Sequence, residues 1–323
     1  MGTIDADGQA IADRTREQGE ISAGSTPEVE NTLTRPCVQQ LGLPGRRSGP
    51  LAGHPLHQCI GLTGPIDIVE GPHLYVRHAG TVGPAKSRHT GVMDRSGAGA
   101  DRGRARYDGL AAWYDTVARP SAEFSRQDLV RLLGGGAGLC LDLGCGTGLY
   151  GDILTGTGRA VVGVDVSQDQ LKVAKAREVV AAADASQLPF CSGSFDDVAC
   201  IWVHGDLDDL TLVLAEVARV LRPGGRLLLF GVHPCFNGPC VEGRDDGGRI
   251  VHPTYRQSGW HRDAPWWSDN GIRQAVGVRH RTLAELLNDV LSSPLRLLRV
   301  EEPRDDPVPA VLALVAERPA GPE

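Results

Sequence analysis

Methionine is almost absent from this chain of 323 residues: Met1 and Met93 are the only two. No apolar run approaches the roughly 20 residues that a membrane-spanning helix needs. The first residues lack the basic start and apolar core of a secretory signal, so a cytoplasmic protein without membrane association is expected. No C-x-x-C pair occurs among the eight cysteines. Cys235 and Cys240 have no second pair at ligand spacing, so no metal site is expected. A disulfide framework does not suit a chain of this size and context. Charge of one sign does not dominate either, with 33 basic and 40 acidic residues and a net charge of −7. Without a basic stripe there is no electrostatic reason to expect a nucleic-acid partner.

Residues 1–103 are rich in Gly, Pro, Ser, Thr and Arg, and their apolar residues keep neither strand nor helix periodicity. This stretch reads as a low-complexity, disordered extension. Two short segments, 65–69 and 73–76, have strand-like composition but no surrounding core. Met93 lies just before the first convincing helix, which makes it an alternative translation start. N-terminal sequencing of the native gene product tests this expectation.

From residue 104 to 318 the pattern is that of one α/β domain. Tyr107 to Asp115 has apolar residues at helical spacing, and a second helix is expected after Pro120, through Leu133, stopped by Gly134-Gly135-Gly136. Strands and helices then alternate. Strands are expected at 139–143, 160–165, 179–183, 197–203 and 226–232, with helices at 149–154, 168–177 and 207–221. Ser167 is a candidate N-cap. A final helix at 282–291 precedes strands at 295–300 and 309–315. Continuous apolar strands alternating with helices predict a parallel sheet covered on both faces. The last two strands are joined by too short a link for a crossover helix, so they should form an antiparallel hairpin.

The first strand ends in Asp142-Leu143-Gly144-Cys145-Gly146-Thr147-Gly148. Glycines here let the chain turn sharply and a ligand approach the backbone. The helix that follows offers free N–H groups, which suit a carboxylate or a phosphate equally. Gly146 to Gly151 also satisfies G-x-G-x-x-G, so a dinucleotide is a rival ligand. Asp142 weighs against it, because a carboxylate in front of the turn repels a pyrophosphate and suits an ammonium group. Asp165 ends the second strand, where an acid can hold ribose hydroxyls. Asp184-Ala185 follows the third, where an acid can accept from an adenine amino group, although Asp also favours turns for local reasons.

These segments together resemble the class I S-adenosylmethionine-dependent methyltransferases. D-L-G-C-G-T-G, G-V-D-V-S, A-D-A-x-x-L-P-F, S-F-D-D-V and L-R-P-G-G-R-L-L-L stand in the family's order and spacing over about 140–232. The resemblance implies a Rossmann-like, doubly wound, seven-stranded sheet in the order 3-2-1-4-5-7-6. It also implies S-adenosyl-L-methionine as cofactor and S-adenosyl-L-homocysteine as product. Asp142, Gly144 and Gly146 would surround the methionine moiety, with Cys145 and Gly148 in the same turn. Asp165 would hold the ribose, Val166 would pack on the adenine, and Asp184 and Ala185 would read its edge. Trp202, Val203 and His204, after the fourth strand, would line the methionine side.

Methyl transfer from a sulfonium relies on positioning, and a general base is needed only when the acceptor must lose a proton early. His204 and His233 are the candidate bases, each at the C-terminal end of a strand. Residues 234–280 interrupt the alternation and carry Trp260, Trp266 and Trp267. A long insertion of this kind is usually functional. With Tyr107 and Tyr114 it is expected to wall the site of a flat or apolar small-molecule acceptor; covering the sheet edge is the plainer alternative. The leading expectation is methylation of a small molecule, by a monomer or homodimer. An NAD(P)-dependent oxidoreductase and a non-catalytic S-adenosylmethionine-binding protein are the alternatives.

Overall fold

The computed structural model describes residues 105–304 and 306–321, together with the backbone of 66–69 and 75–78. Met93 and the rest of 1–103 lie outside the described residues, apart from those two strands. The elements, in chain order, are β1 (Ile66–Val69), β2 (Tyr75–His78), α1 (Ala111–Leu133), β3 (Leu139–Leu143), α2 (Gly151–Thr155), β4 (Ala160–Asp165), α3 (Gln168–Ala174), β5 (Val179–Ala182), β6 (Phe195–Ile201), α4 (Leu210–Val220) and β7 (Leu221–Val232). There follow β8 (Val241–Gly243), β9 (Arg249–Val251), β10 (Gly259–His261), α5 (Ile272–Val276), β11 (Val278–His280), α6 (Leu283–Leu291), β12 (Arg296–Glu301) and β13 (Val311–Glu317).

One nine-stranded sheet runs β1-β2-β5-β4-β3-β6-β7-β13-β12. Numbered from β3, its last seven strands have the expected 3-2-1-4-5-7-6 order. β13 is antiparallel to both β7 and β12. Two strands more than expected are present, and both come from the stretch read as disordered. β1 and β2 form an antiparallel hairpin, and β2 adds in parallel to β5. They overlap the two segments of strand-like composition for which the sequence shows no surrounding core; the edge of β5 supplies the hydrogen-bond partners of β2.

Strand residues alternate between two cores. Leu139, Leu141 and Leu143 face Leu210, Leu214 and Val217 of α4 and Leu286 and Val290 of α6. Cys140, Leu228 and Phe230 face Ala118, Ala122 and Leu129 of α1 and Ile153 and Leu154 of α2. Ser167 caps α3 as expected, its Oγ accepting from the Gln170 N–H. Thr282 and Glu285 form a reciprocal capping box that starts α6.

Helix α1 departs from the expected pair of helices. It is continuous over 23 residues with Pro120 inside. The proline removes one helical hydrogen bond and crowds the preceding turn, but Ala118, Ala122, Ser125 and Leu129 bury both halves against the sheet. Tertiary packing therefore overrides the local break. Pro120→Ala should raise stability by about 1–3 kcal/mol by restoring the bond. A urea titration with unchanged m-value measures this, and a midpoint that does not rise would refute it. Among the described residues, no helix is long and apolar enough to cross a membrane.

Candidate active site

The turn after β3 lies at the C-terminal edge of the parallel strands, where open α/β sheets bind ligands. Gly144 has φ +74°, and a Cβ there would stand 2.6 Å from Cγ2 of Val203. Only glycine permits both that conformation and that approach. Gly146 has φ +55°, and a Cβ there would meet Cε1 of Tyr114 at an ordinary 3.5 Å. Tyr114 thus hangs over the turn, bringing α1 to the site.

Four N–H groups of the turn are used within the protein. The N–H groups of Gly144 and Cys145 donate to the Val164 carbonyl at 2.7 and 2.9 Å. That of Gly148 donates to the Cys145 carbonyl, and that of Gly146 to Asp165 Oδ2 at 2.9 Å. The following helix, α2, has only five residues. What the glycines themselves offer a ligand is room rather than an anion cradle. The Cys145 side chain is buried behind the turn, against Gly163, so only its backbone faces the ligand side. There too lies Glu178, which sequence reading missed. Its oxygens stand 2.9–3.1 Å from where Cβ atoms of Gly148, Gly151 and Gly163 would be. Burial, and then the charge of Asp142, raise its carboxyl well above the usual range.

Two carboxylates flank the front. Asp142 is 1% exposed, and its Oδ2 has no partner. Burial, and then the charge of Asp165, push its carboxyl up to about 7. Asp165 accepts from Gly146 through one oxygen and from the Ser167 N–H through the other, at 2.8 Å. Burial raises it to about 6, against the pull of those N–H bonds. Val166 beside it exposes 60% of its surface. Asp184 is exposed and accepts from the N–H and hydroxyl of Ser186 through Oδ1. This is turn chemistry, with Oδ2 left open. Ala185 packs partly buried on the core.

The raised carboxyl of Asp142 has a measurable consequence. In the unfolded chain it ionises near 4, but in the fold it holds its proton to about 7. Between those values the folded state binds more protons, so this group's stability contribution is lost as pH rises. His204 opposes it. Burial lowers its imidazole to about 3, and its contribution rises with pH from about 3 to its unfolded value. The expected result is therefore a difference. Between about pH 4 and 7, Asp142→Asn should gain stability relative to the parent as pH rises. Parallel stability–pH curves from denaturant titrations would show that Asp142 ionises normally.

A cavity of about 450 Å³ opens beside the turn. Tyr107, Tyr114 and Trp267 line it, joined by Tyr150, Trp202 and Arg273. Trp202 adopts φ +61°, a costly conformation for a bulky residue, and it aims the indole at this cavity from the end of β6. Tyr107 packs edge-on against Tyr114 at 5.3 Å. The Tyr107 hydroxyl and Arg273 Nη1 both donate to Asp206 Oδ1, at 3.2 and 3.0 Å. Burial pushes the hydroxyls of Tyr107 and Tyr114 up, so both stay protonated. A second cavity of about 320 Å³ shares Val232, Asn237, Trp267, Ser268 and Arg273 with the first and includes Trp266. Residues 234–280 thus form two small two-stranded sheets and α5, and they supply much of both walls.

Three predicted site residues lie elsewhere. Trp260 lines neither cavity; its ring lies under the Arg106 guanidinium at 3.9 Å. His204 is buried without a partner on Nε2, and it fills the space left by Gly231, whose Cβ would be 2.6 Å from its ring. His233 is 2% exposed. Its Nδ1 accepts from the Cys235 N–H, which puts the ring proton on Nε2, facing Glu302 at 3.0 Å. Both histidines brace the backbone beyond β6 and β7 rather than face the cavities. Asp206, Arg273 and Tyr150 carried no local signal. Asp206 and Arg273 are 67 residues apart, and Arg273 sits in an insertion with no periodicity.

A methyltransferase-domain family profile matches residues 141–229, from β3 into β7. An O-methyltransferase of Aspergillus nomiae, rstn1, is 31% identical over 165 residues, covering 43% of this chain and 73% of the relative. An O-methyltransferase of Penicillium expansum, cnsE, is 34% identical over 42% of this chain and 55% of its own length. The chain spans about half the length, or less, of several such curated relatives. Among solved structures, an S-adenosylmethionine-dependent methyltransferase of Mesorhizobium loti aligns with a TM-score of 0.51 and 25% identity. The alignment covers 61% of this chain and 98% of that one. Sheet order, the glycine turn with its flanking acids, and these likenesses agree: the chain belongs to the class I S-adenosylmethionine-dependent methyltransferase family.

Proposed function

We propose that this chain transfers a methyl group from S-adenosyl-L-methionine to a small-molecule acceptor by in-line displacement, releasing S-adenosyl-L-homocysteine. The observation that carries this reading is the orphaned carboxyl oxygen of Asp142 in front of a turn whose glycine N–H groups at 144, 146 and 148 are already engaged. An ammonium group satisfies that oxygen and favours loss of its raised proton; a pyrophosphate would find no free N–H groups at Gly144, Cys145, Gly146 or Gly148. Asp165 holds the ribose, the open Oδ2 of Asp184 accepts from the adenine amino group, and the exposed Val166 gives the adenine an apolar face. Trp202 and Val203 cover the methionine end, and Gly144 and Gly146 leave it room.

The acceptor occupies the aromatic cavity next to the turn. Tyr107, Tyr114 and Trp267 hold it with the reacting atom toward the sulfonium, and Trp266 extends the wall. Rate comes from alignment in a space closed by aromatic groups. With His204 and His233 turned away, the tyrosines of the wall orient an acceptor hydroxyl or amine rather than deprotonate it in advance, and Asp206 holds Tyr107 in place from behind.

Calorimetric titration with S-adenosylhomocysteine and, separately, with NADH tests the cofactor. Binding of S-adenosylhomocysteine without a response to NADH is expected. Tight NADH binding with no response to S-adenosylhomocysteine would replace this reading with an oxidoreductase. Binding without methyl transfer to any acceptor in a broad panel would leave a non-catalytic binding protein.

A further inference from the structure

The two adjoining cavities have an unexpected charge. The chain as a whole carries −7, and Asp142 and Asp165 stand close to the glycine turn. Yet among the described residues no aspartate or glutamate lines either cavity, whereas Arg273 lines both and Arg249 lines the second. Arg273 is only partly spent. Nη1 donates to Asp206 Oδ1 at 3.0 Å and reaches the Gly277 carbonyl at 3.4 Å. Nε and Nη2 make no hydrogen bond among the described residues. Asp206 is fixed in turn by the Tyr107 hydroxyl, so the guanidinium is held in place before any ligand arrives. Arg249 uses Nη1 on the carbonyls of Gly247 and Gly248 and has no ion pair among the described residues. Two anchored guanidinium groups with unused donors, facing a space without carboxylates, recognise an anionic oxygen group.

We propose that the acceptor is an elongated molecule with an apolar or aromatic body in the first cavity and an anionic oxygen group, carboxylate or phosphate, in the second, held by Arg273 and Arg249. This rests on the methyltransferase reading above and gives it a substrate class. Val232, Asn237, Trp267 and Ser268 line both cavities, so the two lie side by side, and the proposed acceptor reaches from one into the other. An acceptor of this shape places its anion at the end distal to the sulfonium. The same arrangement disfavours a cationic acceptor. In this proposal Arg273 and Arg249 are specificity residues for the acceptor.

The test uses the full chain and a probe series of ω-(2-naphthyl)alkanoates, from acetate to hexanoate, with their primary amides and the corresponding naphthylalkyl phosphates. Dissociation constants are measured by calorimetry, with and without saturating S-adenosylhomocysteine. At least one acid or phosphate should bind about ten-fold or more tightly than its amide, by the worth of a charge-assisted hydrogen bond, and the advantage should shrink with salt. The acid and phosphate arms show which anion the pair of arginines prefers. Arg249→Gln, on a partly exposed hairpin, and Arg273→Gln should each reduce the anion-to-amide ratio several-fold while S-adenosylhomocysteine affinity stays within about two-fold. Arg273→Lys keeps the charge beside Asp206 and should retain more of the ratio. Should Arg273→Gln fold poorly, Arg249→Gln decides. Amides that bind as tightly as the acids and phosphates throughout, absence of binding by every probe, or a preference that survives both substitutions would overturn the proposal. Failure of S-adenosylhomocysteine to bind while the anion preference persists would sink only the cofactor reading.

Discussion

Arg159→Met is expected to lower the unfolding free energy by about 3–5 kcal/mol, the usual result of removing one partner of a buried ion pair. Arg159 and Asp197 side chains are 1% and 7% exposed, with Nε 2.6 Å from Oδ2. The same guanidinium donates to Thr157 Oγ1 at 2.8 Å, to the Gly134 carbonyl at 2.9 Å and to the Leu133 carbonyl at 3.3 Å. It thus ties the last carbonyls of α1 to the start of β6. Gly136 is glycine for the same reason, since a Cβ there would lie 2.4 Å from the guanidinium. Without Arg159, Asp197 keeps only Arg226, at 3.3 Å and 40% exposed, which should hold the loss toward the lower figure. The functional consequence follows the helix: α1 carries Tyr114 to the glycine turn, so a loosened C-terminal end should also weaken ligand binding. Equilibrium urea unfolding measures the first effect. A loss below about 1 kcal/mol would show that Arg226 suffices as partner. Arg159→Met combined with Asp197→Leu should recover much of the loss, because no charge is then left buried and unpaired.

Asp165→Ala is expected to weaken S-adenosylhomocysteine binding by about 1–3 kcal/mol, roughly 5- to 150-fold. Its carboxylate is proposed to accept from the ribose while it already holds the Gly146 and Ser167 N–H groups. The substitution therefore removes a ligand contact and unsettles the turn together. Measuring affinity well below the melting temperature separates binding from stability, and Asp165→Asn, which keeps the shape and loses the charge, should fall between. Unchanged affinity in Asp165→Ala would take Asp165 out of the site.

The central sheet was legible because its signals are local. Apolar runs such as 139–143 and 226–232, the glycine and proline stops between them, and Ser167 and Thr282 at helix starts each act within a few residues. The helix boundary at Pro120 was misplaced because burial of α1 outweighs a local breaker. The strand-like composition of β1 and β2 was visible, but not their partner, because the edge of β5 lies about a hundred residues away in the chain. Asp142 and Asp165 could be read from position alone, since the strand ends put them beside the turn. His204 and His233 stood at equally suggestive strand ends, but side-chain direction there depends on what neighbouring strands leave open: Gly231 makes room for one ring, and Glu302 draws the other away.

By itself, then, the sequence determined the strands, their turns and the family that its motif spacing resembles, and the sheet order followed from that resemblance, because strand period, turn residues and motif spacing are properties of short segments. Tertiary structure alone decided the character of the acceptor side. Tyr107, Asp206 and Arg273 come from three distant parts of the chain, and they meet only because α1, the loop after β6 and the insertion converge on one edge of the sheet. Whether a charge faces a cavity or a partner depends on that convergence.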